Sequence, residues 1–268
     1  MKTVLLAGCG KMGSAMLAGW LDRLKDDLRF VIVDPMIGDD HFAQGNERVD
    51  IHTEYPDIMP DLDIIVLAMK PQMLPDALPA LKNHSHKNTV WLSIAAGITR
   101  TKLKEHLGDD TLIIRTMPNT PAAIGKGITA MLIDDAVPEY MSQMAQDMMA
   151  VIGEVVLINH EDDMDRVTAL SGSGPAYVFL MREVMEQAGI TAGLSPELAS
   201  KLAGATLSGA VALIDEGVTS PEQLRINVTS PNGTTQAALD VLMADDGLAA
   251  LMEKAILAAR DRSIELGK

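Results

Sequence analysis

The sequence predicts a doubly wound α/β domain with a mainly parallel sheet, followed by an all-α domain. Three observations lead there. Short runs that are apolar on both alternating faces recur through residues 1–160, a glycine-rich turn follows the first of them, and after Asn159 helical periodicity replaces every strand-like run.

Val4 to Ala7, Phe30 to Val33, Ile64 to Ala68, Val90 to Ile94 and Leu112 to Ile114 read as strands covered on both sides, as in a sheet with helices on both faces. Between them Met12 to Leu24 and Asp76 to Leu81 carry apolar residues at helical spacing, and Thr99 opens a further helix with a Thr-x-x-Lys start suited to a cap. Ile128 to Ile133 and Val155 to Ile158 are two more strands, flanking a Met-rich segment from Tyr140 to Val151 that reads as core filling. Helical patterns then cover 161–170, 175–188, 196–215, 232–244 and 247–266. The last places Leu248, Leu251, Met252, Ala255, Ile256 and Ala259 on one face. Ala203, Gly204, Ala205, Ser208, Gly209 and Ala210 form a face nearly without side chains, against which another helix could lie very closely. These textures set a boundary near 160, giving domains 1–160 and 161–268.

Composition removes several function classes. A net charge of −15 repels phosphate backbones and anionic membrane surfaces, so neither nucleic acid nor a membrane is an expected partner. Aromatics at 3% leave few platforms for stacking bases. Cys9 is the one cysteine, which excludes an intramolecular disulfide and a multi-cysteine metal site. Leu6 to Cys9 imitates a lipoprotein cleavage box, but its apolar stretch, Val4 to Ala7, is far below the roughly 7–15 residues of a signal core. No later window approaches about 18 uninterrupted apolar residues, and the expectation is a soluble, cytoplasmic protein. His84 and His86 have metal-like spacing yet sit in a polar loop, and His41, His52, His106 and His160 also lie mostly in polar stretches, so no metal is expected.

Gly8-Cys9-Gly10-Lys11-Met12-Gly13 follows the first strand and opens a helix, the context that gives Gly-x-Gly-x-x-Gly its meaning. The first glycine makes the turn, the second admits a pyrophosphate to the backbone, and the third lets helix and strand close up. Unpaired N–H groups and the helix dipole attract the phosphates. Asp34 ends the second strand, where a carboxylate accepts from an adenosine ribose, and no Arg or Lys occurs between Phe30 and Glu47 to receive a 2′-phosphate. A Rossmann domain leaning toward NADH over NADPH is the reading.

Beyond the glycine turn, Leu67-Ala68-Met69-Lys70-Pro71-Gln72, Ser93-Ile94-Ala95-Ala96-Gly97, Arg115 to Pro121, Gly172 to Tyr177 and Val228 to Thr235 resemble, in order and spacing, blocks of the pyrroline-5-carboxylate reductase family, from about Val4 to Gly267. The resemblance implies a Rossmann domain plus a helical domain that interlocks with a second subunit, as a homodimer open to assembly into a ring of dimers. It also implies reduction of the cyclic imine 1-pyrroline-5-carboxylate to proline with NADPH or NADH, the last step of proline biosynthesis. By motif, Gly8, Cys9, Gly10, Lys11, Met12 and Gly13 would hold the pyrophosphate. Ala68, Met69, Lys70, Pro71, Ala95, Ala96 and Gly97 would line ribose and nicotinamide, with Asn119 nearby. Ser230, Asn232, Gly233, Thr234 and Thr235 would form the substrate loop, with Thr235 as the hydrogen-bond partner of the reacting nitrogen.

The loop is chemically sensible for that task, because it precedes a helix beginning near Thr234 whose free N–H groups suit a carboxylate. Hydride transfer to C=N needs chiefly proximity and a partner for nitrogen, and no strong general acid stands out. Lys70, at a strand end, reads as a cofactor-side contact; nothing apolar surrounds it in sequence to make it a Schiff-base former. Glu161-Asp162-Asp163 reads as a solvated helix start. Three positions depart from the family pattern: Tyr55 stands for a usual Asn, Asp34-Pro35 for a small or basic pair, and Asn232 for a common glycine, a place where Asn tolerates positive φ. The alternative of a β-hydroxyacid dehydrogenase asks for a Lys followed one turn later by Asn, whereas Lys201 is followed by Ala205. A non-catalytic dinucleotide-dependent sensor is opposed by the intact Ser230 to Thr235 loop.

Overall fold

A computed structural model describes residues 1–24 and 27–267. Among them, eight strands form one sheet: β1 (Lys2–Ala7), β2 (Leu28–Val33), β3 (Val49–His52), β4 (Ile64–Leu67), β5 (Val90–Ser93), β6 (Leu112–Met117), β7 (Gly127–Ile133) and β8 (Gly153–Leu157). Their order is β3-β2-β1-β4-β5-β6-β7-β8, parallel throughout except between β6 and β7. The order reverses direction between β1 and β4, the place where such sheets receive ligands.

The apolar runs of β1, β2, β4, β5 and β6 are continuous because each of these strands faces two cores. Val4, Leu6, Phe30, Ile32, Ile64, Val66 and Leu92 point to one side, against Met16, Leu17 and Trp20 of α1 (Lys11–Arg23) and Met141, Ala145, Met148 and Met149 of α4 (Glu139–Ala150). Leu5, Val31, Ile65, Leu67, Trp91 and Ile113 point to the other, against Leu74, Leu78 and Leu81 of α2 (Leu74–Lys82) and Leu103 and Leu107 of α3 (Arg100–Leu107). The Met-rich segment is core, as its composition predicts, with Met141, Met148 and Met149 buried. Trp20 stacks on Phe30 with ring centroids 5.5 Å apart and donates Nε1–H to the Met148 carbonyl at 2.8 Å, which ties α1 to α4 across the sheet's face. Thr99 caps α3 by accepting from the Lys102 N–H at 3.2 Å, as the Thr-x-x-Lys start predicts.

Two elements escape the sequence pattern. β3 is an edge strand whose residues are all half-buried and whose Asp50 pairs with Arg29 of β2 at 2.7 Å, so it shows no apolar run. After β8 the chain is helical: α5 (Asp163–Val167), a π-type turn over Thr168–Gly172, α6 (Gly174–Thr191), α7 (Pro196–Asp215), α8 (Pro221–Asn227), α9 (Thr234–Leu242) and α10 (Leu248–Leu266). The unanticipated α8 is short, buries no residue, and starts at a Ser220 cap followed by Pro221.

Contacts divide the chain into two compact units, Met1–Ser173 with the chain from Ala259 onward, and Gly174–Ala258. The second unit buries only Ala199 and Ala203. Phe179 is 66% exposed and Leu251 60%, and Val178, Leu202, Leu213, Ile214 and Val241 are also exposed. α7 is the one described helix long and apolar enough to cross a membrane by length and composition, although Lys201 interrupts its apolar run.

Glu161 corrects the reading of Glu161-Asp162-Asp163 as a solvated start. Its carboxylate pairs with Arg115, a buried residue of β6, and takes the Arg100 Nε–H at 2.5 Å and the Arg100 backbone N–H at 3.1 Å. Burial alone would push this carboxyl up, but Arg115 and the hydrogen bonds from Arg100 outweigh it and hold it below its ordinary value of 4.5. A carboxyl depressed in the folded state contributes stability in full above that ordinary value, and loses it as pH falls through the folded value. Glu161→Gln should therefore cost on the order of 3 kcal/mol at neutral pH by leaving Arg115 unpaired. It should also flatten the decline of Tm with falling pH below about 4.5; an unchanged acid slope in thermal melts would remove this pair from the account.

Candidate active site

The register of the sheet sets the site. Val33, Ala7, Leu67, Ser93 and Arg115 stand in one row across β2, β1, β4, β5 and β6, so the residues that follow each of the first four emerge at one level. Every residue expected to hold a dinucleotide follows one of these strand ends: Gly8 to Gly13 after β1, Asp34 after β2, Ala68 to Pro71 after β4, Ala95 to Gly97 after β5, and Asn119 after β6.

The three glycines divide their tasks. Gly8 has φ +94°, and a Cβ there would stand 2.9 Å from the backbone of Ala68 and Met69. A Cβ on Gly13 would stand 2.6 Å from the Gly8 carbonyl oxygen. Gly10 is different: among the described residues no atom comes within 4 Å of its Cβ position, so the space beside it is left for something else. Gly10 is also the N-cap of α1, with no side-chain cap and no acid in the first turn, which holds Lys11, Met12 and Gly13. Free N–H groups, an uncompensated helix dipole and an open glycine make a cradle that fits a pyrophosphate.

Asp34 supports that turn. Its Oδ2 accepts the Cys9 N–H at 2.6 Å and its Oδ1 the Met36 N–H at 2.8 Å. The Cys9 thiol lies 3.5 Å from Ser14 Oγ and 3.6 Å from His41 Nε2, and His41 Nδ1 accepts from the Ala43 N–H at 3.4 Å. Burial pushes the Cys9 thiol up, with Asp34 adding to the shift against the Ser14 hydrogen bond. It therefore stays neutral beside the cradle. Next to it a cleft of about 510 Å³ is lined by residues 37–39, Gln44 and 51–57, among them Asp39, Glu54, Tyr55 and Asp57, with no Lys or Arg among the described residues. Burial and then the nearby Asp34 push the Tyr55 phenol up.

On the other side of the switch point, Asn119 is fixed at both ends, accepting from the Ile128 N–H at 3.0 Å and donating to the Ser171 carbonyl at 3.4 Å. Lys70 is exposed. Gly97 has φ +74° and lies against the last turn of α10. His41 and Leu266, both beside this edge, carry no motif that would place them there.

In the helical unit the loop from Val228 leads into α9. Asn232 has φ +59°, so the family's usual glycine is replaced by a residue that takes the same left-handed turn. A Cβ on Gly233 would stand 2.4 Å from Ser230 Oγ, which explains why glycine precedes the helix. Gly233 is the α9 N-cap without a side-chain cap, leaving the N–H groups of Thr234 and Thr235 for a ligand carboxylate. Thr235 is half-buried, while Ser230, Asn232 and Thr234 are exposed.

A family model described as pyrroline-5-carboxylate reductase dimerisation matches residues 161–266, and one described as NADP oxidoreductase, coenzyme F420-dependent, matches 2–97. The pyrroline-5-carboxylate reductase of Pseudomonas aeruginosa is 34% identical over 265 residues, covering 99% of this chain and 97% of the relative. Among solved structures, that of a pyrroline-5-carboxylate reductase from Coxiella burnetii matches with TM-score 0.87 at 32% identity, over 99% of this chain and 98% of that one. The Plasmodium falciparum pyrroline carboxylate reductase, solved with NADP bound, matches with TM-score 0.82 at 28% identity, over 100% and 98%.

The unequal surroundings of the glycines predict unequal variants. Gly13→Ala drives a methyl into the Gly8 carbonyl and should lower stability by about 1–3 kcal/mol. Gly10→Ala meets no protein atom, so Tm should hold while dinucleotide affinity falls by about tenfold or more. Melting curves and fluorescence titration of both variants check this; equal stability losses would dissolve the distinction.

Proposed function

The chain belongs to the pyrroline-5-carboxylate reductase family, and from that membership we propose that it reduces 1-pyrroline-5-carboxylate to L-proline, the last step of proline biosynthesis, in the cytoplasm. The observation that carries the reading is the pairing of two uncapped helix starts in one chain. One lies at Gly10 on the edge of the sheet, for a pyrophosphate, and one at Gly233 ahead of Thr234, for a small carboxylate.

The nicotinamide dinucleotide, when bound, supplies the hydride. Gly8 to Gly13 hold its pyrophosphate and Asp34 its adenosine ribose. Ala68 to Pro71, Ala95 to Gly97 and Asn119 line the nicotinamide half. Ser230 to Thr235 take the imine's carboxylate on backbone N–H groups, and Thr235 keeps a hydroxyl at the ring nitrogen. The iminium loses its positive charge as the hydride arrives, so the protein needs orientation more than a strong acid. Residues 1–160 serve as the dinucleotide domain and 161–268 as the dimerisation and substrate domain. An interlocked homodimer is the smallest active unit, and rings of such dimers are compatible with it.

NADH is the favoured cofactor. A 2′-phosphate would face Asp34 and the cleft bearing Asp39, Glu54 and Asp57, without a lining cation to offset the repulsion. Following nicotinamide oxidation with the cyclic imine, kcat/KM for NADH should equal or exceed that for NADPH; an NADPH preference of about tenfold or more overturns the cofactor reading. In the same assay Thr235→Ala should lower kcat/KM for the imine by roughly one to two decades, about 1–3 kcal/mol for one hydrogen bond to the reacting group, with dinucleotide affinity retained. Wild-type kinetics in a folded Thr235→Ala protein would take Thr235 out of the mechanism.

A further inference from the structure

The loop after β5 is gripped by two segments remote in sequence. At its far end, Glu161 accepts the Arg100 backbone N–H and side chain, just where the loop becomes α3. At its centre, Gly97 meets the last turn of α10: a Cβ on Gly97 would stand 3.0 Å from Leu266 Cβ, and a Cβ on Gly267 would stand 3.0 Å from the Gly97 carbonyl oxygen. That turn is itself pinned. Ser263, 4% exposed, donates to Asp165 Oδ1 at 2.6 Å. Glu161 and Leu266 are also the first and last residues of the segment matched as a dimerisation domain, and α10 begins within the helical unit and ends against the sheet unit's own loop.

We propose that the last turn of α10, through Leu266 and the Ser263–Asp165 hydrogen bond, is a positioning element for the Ala95–Gly97 loop, so that the end of the segment matched as a dimerisation domain also sets the nicotinamide side of the site. The inference rests on the proposed reductase function for its kinetic readout. Gly97 takes a left-handed conformation with no side chain of its own to hold it. Its place is therefore fixed by what packs on it, and the contact comes from α10. Leu266 touches neither cofactor nor substrate in this reading and acts through the loop.

The test uses the full chain with Leu266→Gly, Ser263→Ala and the conservative Leu266→Met. NADH titration counts competent sites and gives Kd, kcat is expressed per titrated site, and hydrogen exchange reads the amides of 95–99. A misplaced nicotinamide-side loop should lower kcat per site by about tenfold in Leu266→Gly, because small displacements at the reacting centre cost heavily. Exchange at 95–99 should quicken, Kd should stay within about threefold because the pyrophosphate cradle is untouched, and Leu266→Met should restore the wild-type rate. A loss of folding alone would change the number of titrated sites and not the rate per site. Should Leu266→Gly fail to fold, Ser263→Ala decides, with the same direction expected. Unchanged rate per site and unchanged exchange in the folded variants overturn the proposal. An inactive wild-type protein would instead overturn the reductase reading, and loop exchange would then decide the positioning role by itself.

Discussion

Two alanines are all that the helices from Gly174 to Ala258 bury among themselves. A segment of that length with Phe179, Leu213, Val241 and Leu251 open to water cannot offset the conformational entropy of its own ordering. The missing core must come from another surface, and a match to a dimerisation domain over 161–266 identifies that surface as a second copy. Obligate interfaces of this kind commonly bury about 2,000 Å² or more. The small-residue face of α7 fits the same demand. Ala203 and Gly204 are spent within the chain, where Gly204 admits the Arg182 guanidinium, while around Gly209 no described atom fills the Cβ position. The apolar composition that makes α7 pass for a membrane helix is what a shared helical core requires.

The sheet solves the opposite problem. Its strands β1, β2, β4, β5 and β6 are covered on both faces within one chain, while Val156 and Leu157 of β8 stay exposed, and its register does the functional work. Because Val33, Ala7, Leu67 and Ser93 end level, four loops leave the sheet at one edge, and glycines and alanines there keep side chains out of the space a flat, extended ligand would occupy.

What the sequence discloses and what it withholds separate along physical lines. Strands with two buried faces and helices with caps, such as α3 behind Thr99, are written in local periodicity. β3 is not, because an edge strand with Asp50 and His52 among its four residues has no apolar run, and α8 is not, because nothing in it is buried. The glycine turn and the Asn232 turn are legible since each depends on residues a few positions apart, whereas the hydrogen bond from the Cys9 N–H to Asp34, 25 residues on, is not. The Glu161 ion pair with Arg115 and Arg100 is illegible for the converse reason: a carboxylate within an acidic run looks solvated until the sheet brings a buried arginine to it from far along the chain. Cys9 against His41 and Leu266 against Gly97 are contacts of the same long-range kind.

Charge poses the last question, since a chain of net charge −15 has to accept an anionic pyrophosphate. The answer is local. The first turn of α1 carries Lys11 and no acid, so the dipole is uncompensated where the phosphates would lie. The Cys9 thiol, raised by burial, contributes no thiolate, and the Asp34 carboxylate is held by the Cys9 and Met36 N–H groups, with one lone pair left on each oxygen. Negative charge is concentrated one step further out, in the cleft with Asp39, Glu54 and Asp57. An overall acidic field slows the approach of any dinucleotide, but inside the Debye length of roughly 8 Å it is the nearest groups that decide. Here the nearest groups are the N–H groups and Lys11 at the start of α1, whose positive field suits a diphosphate bridge whatever the net charge of the chain.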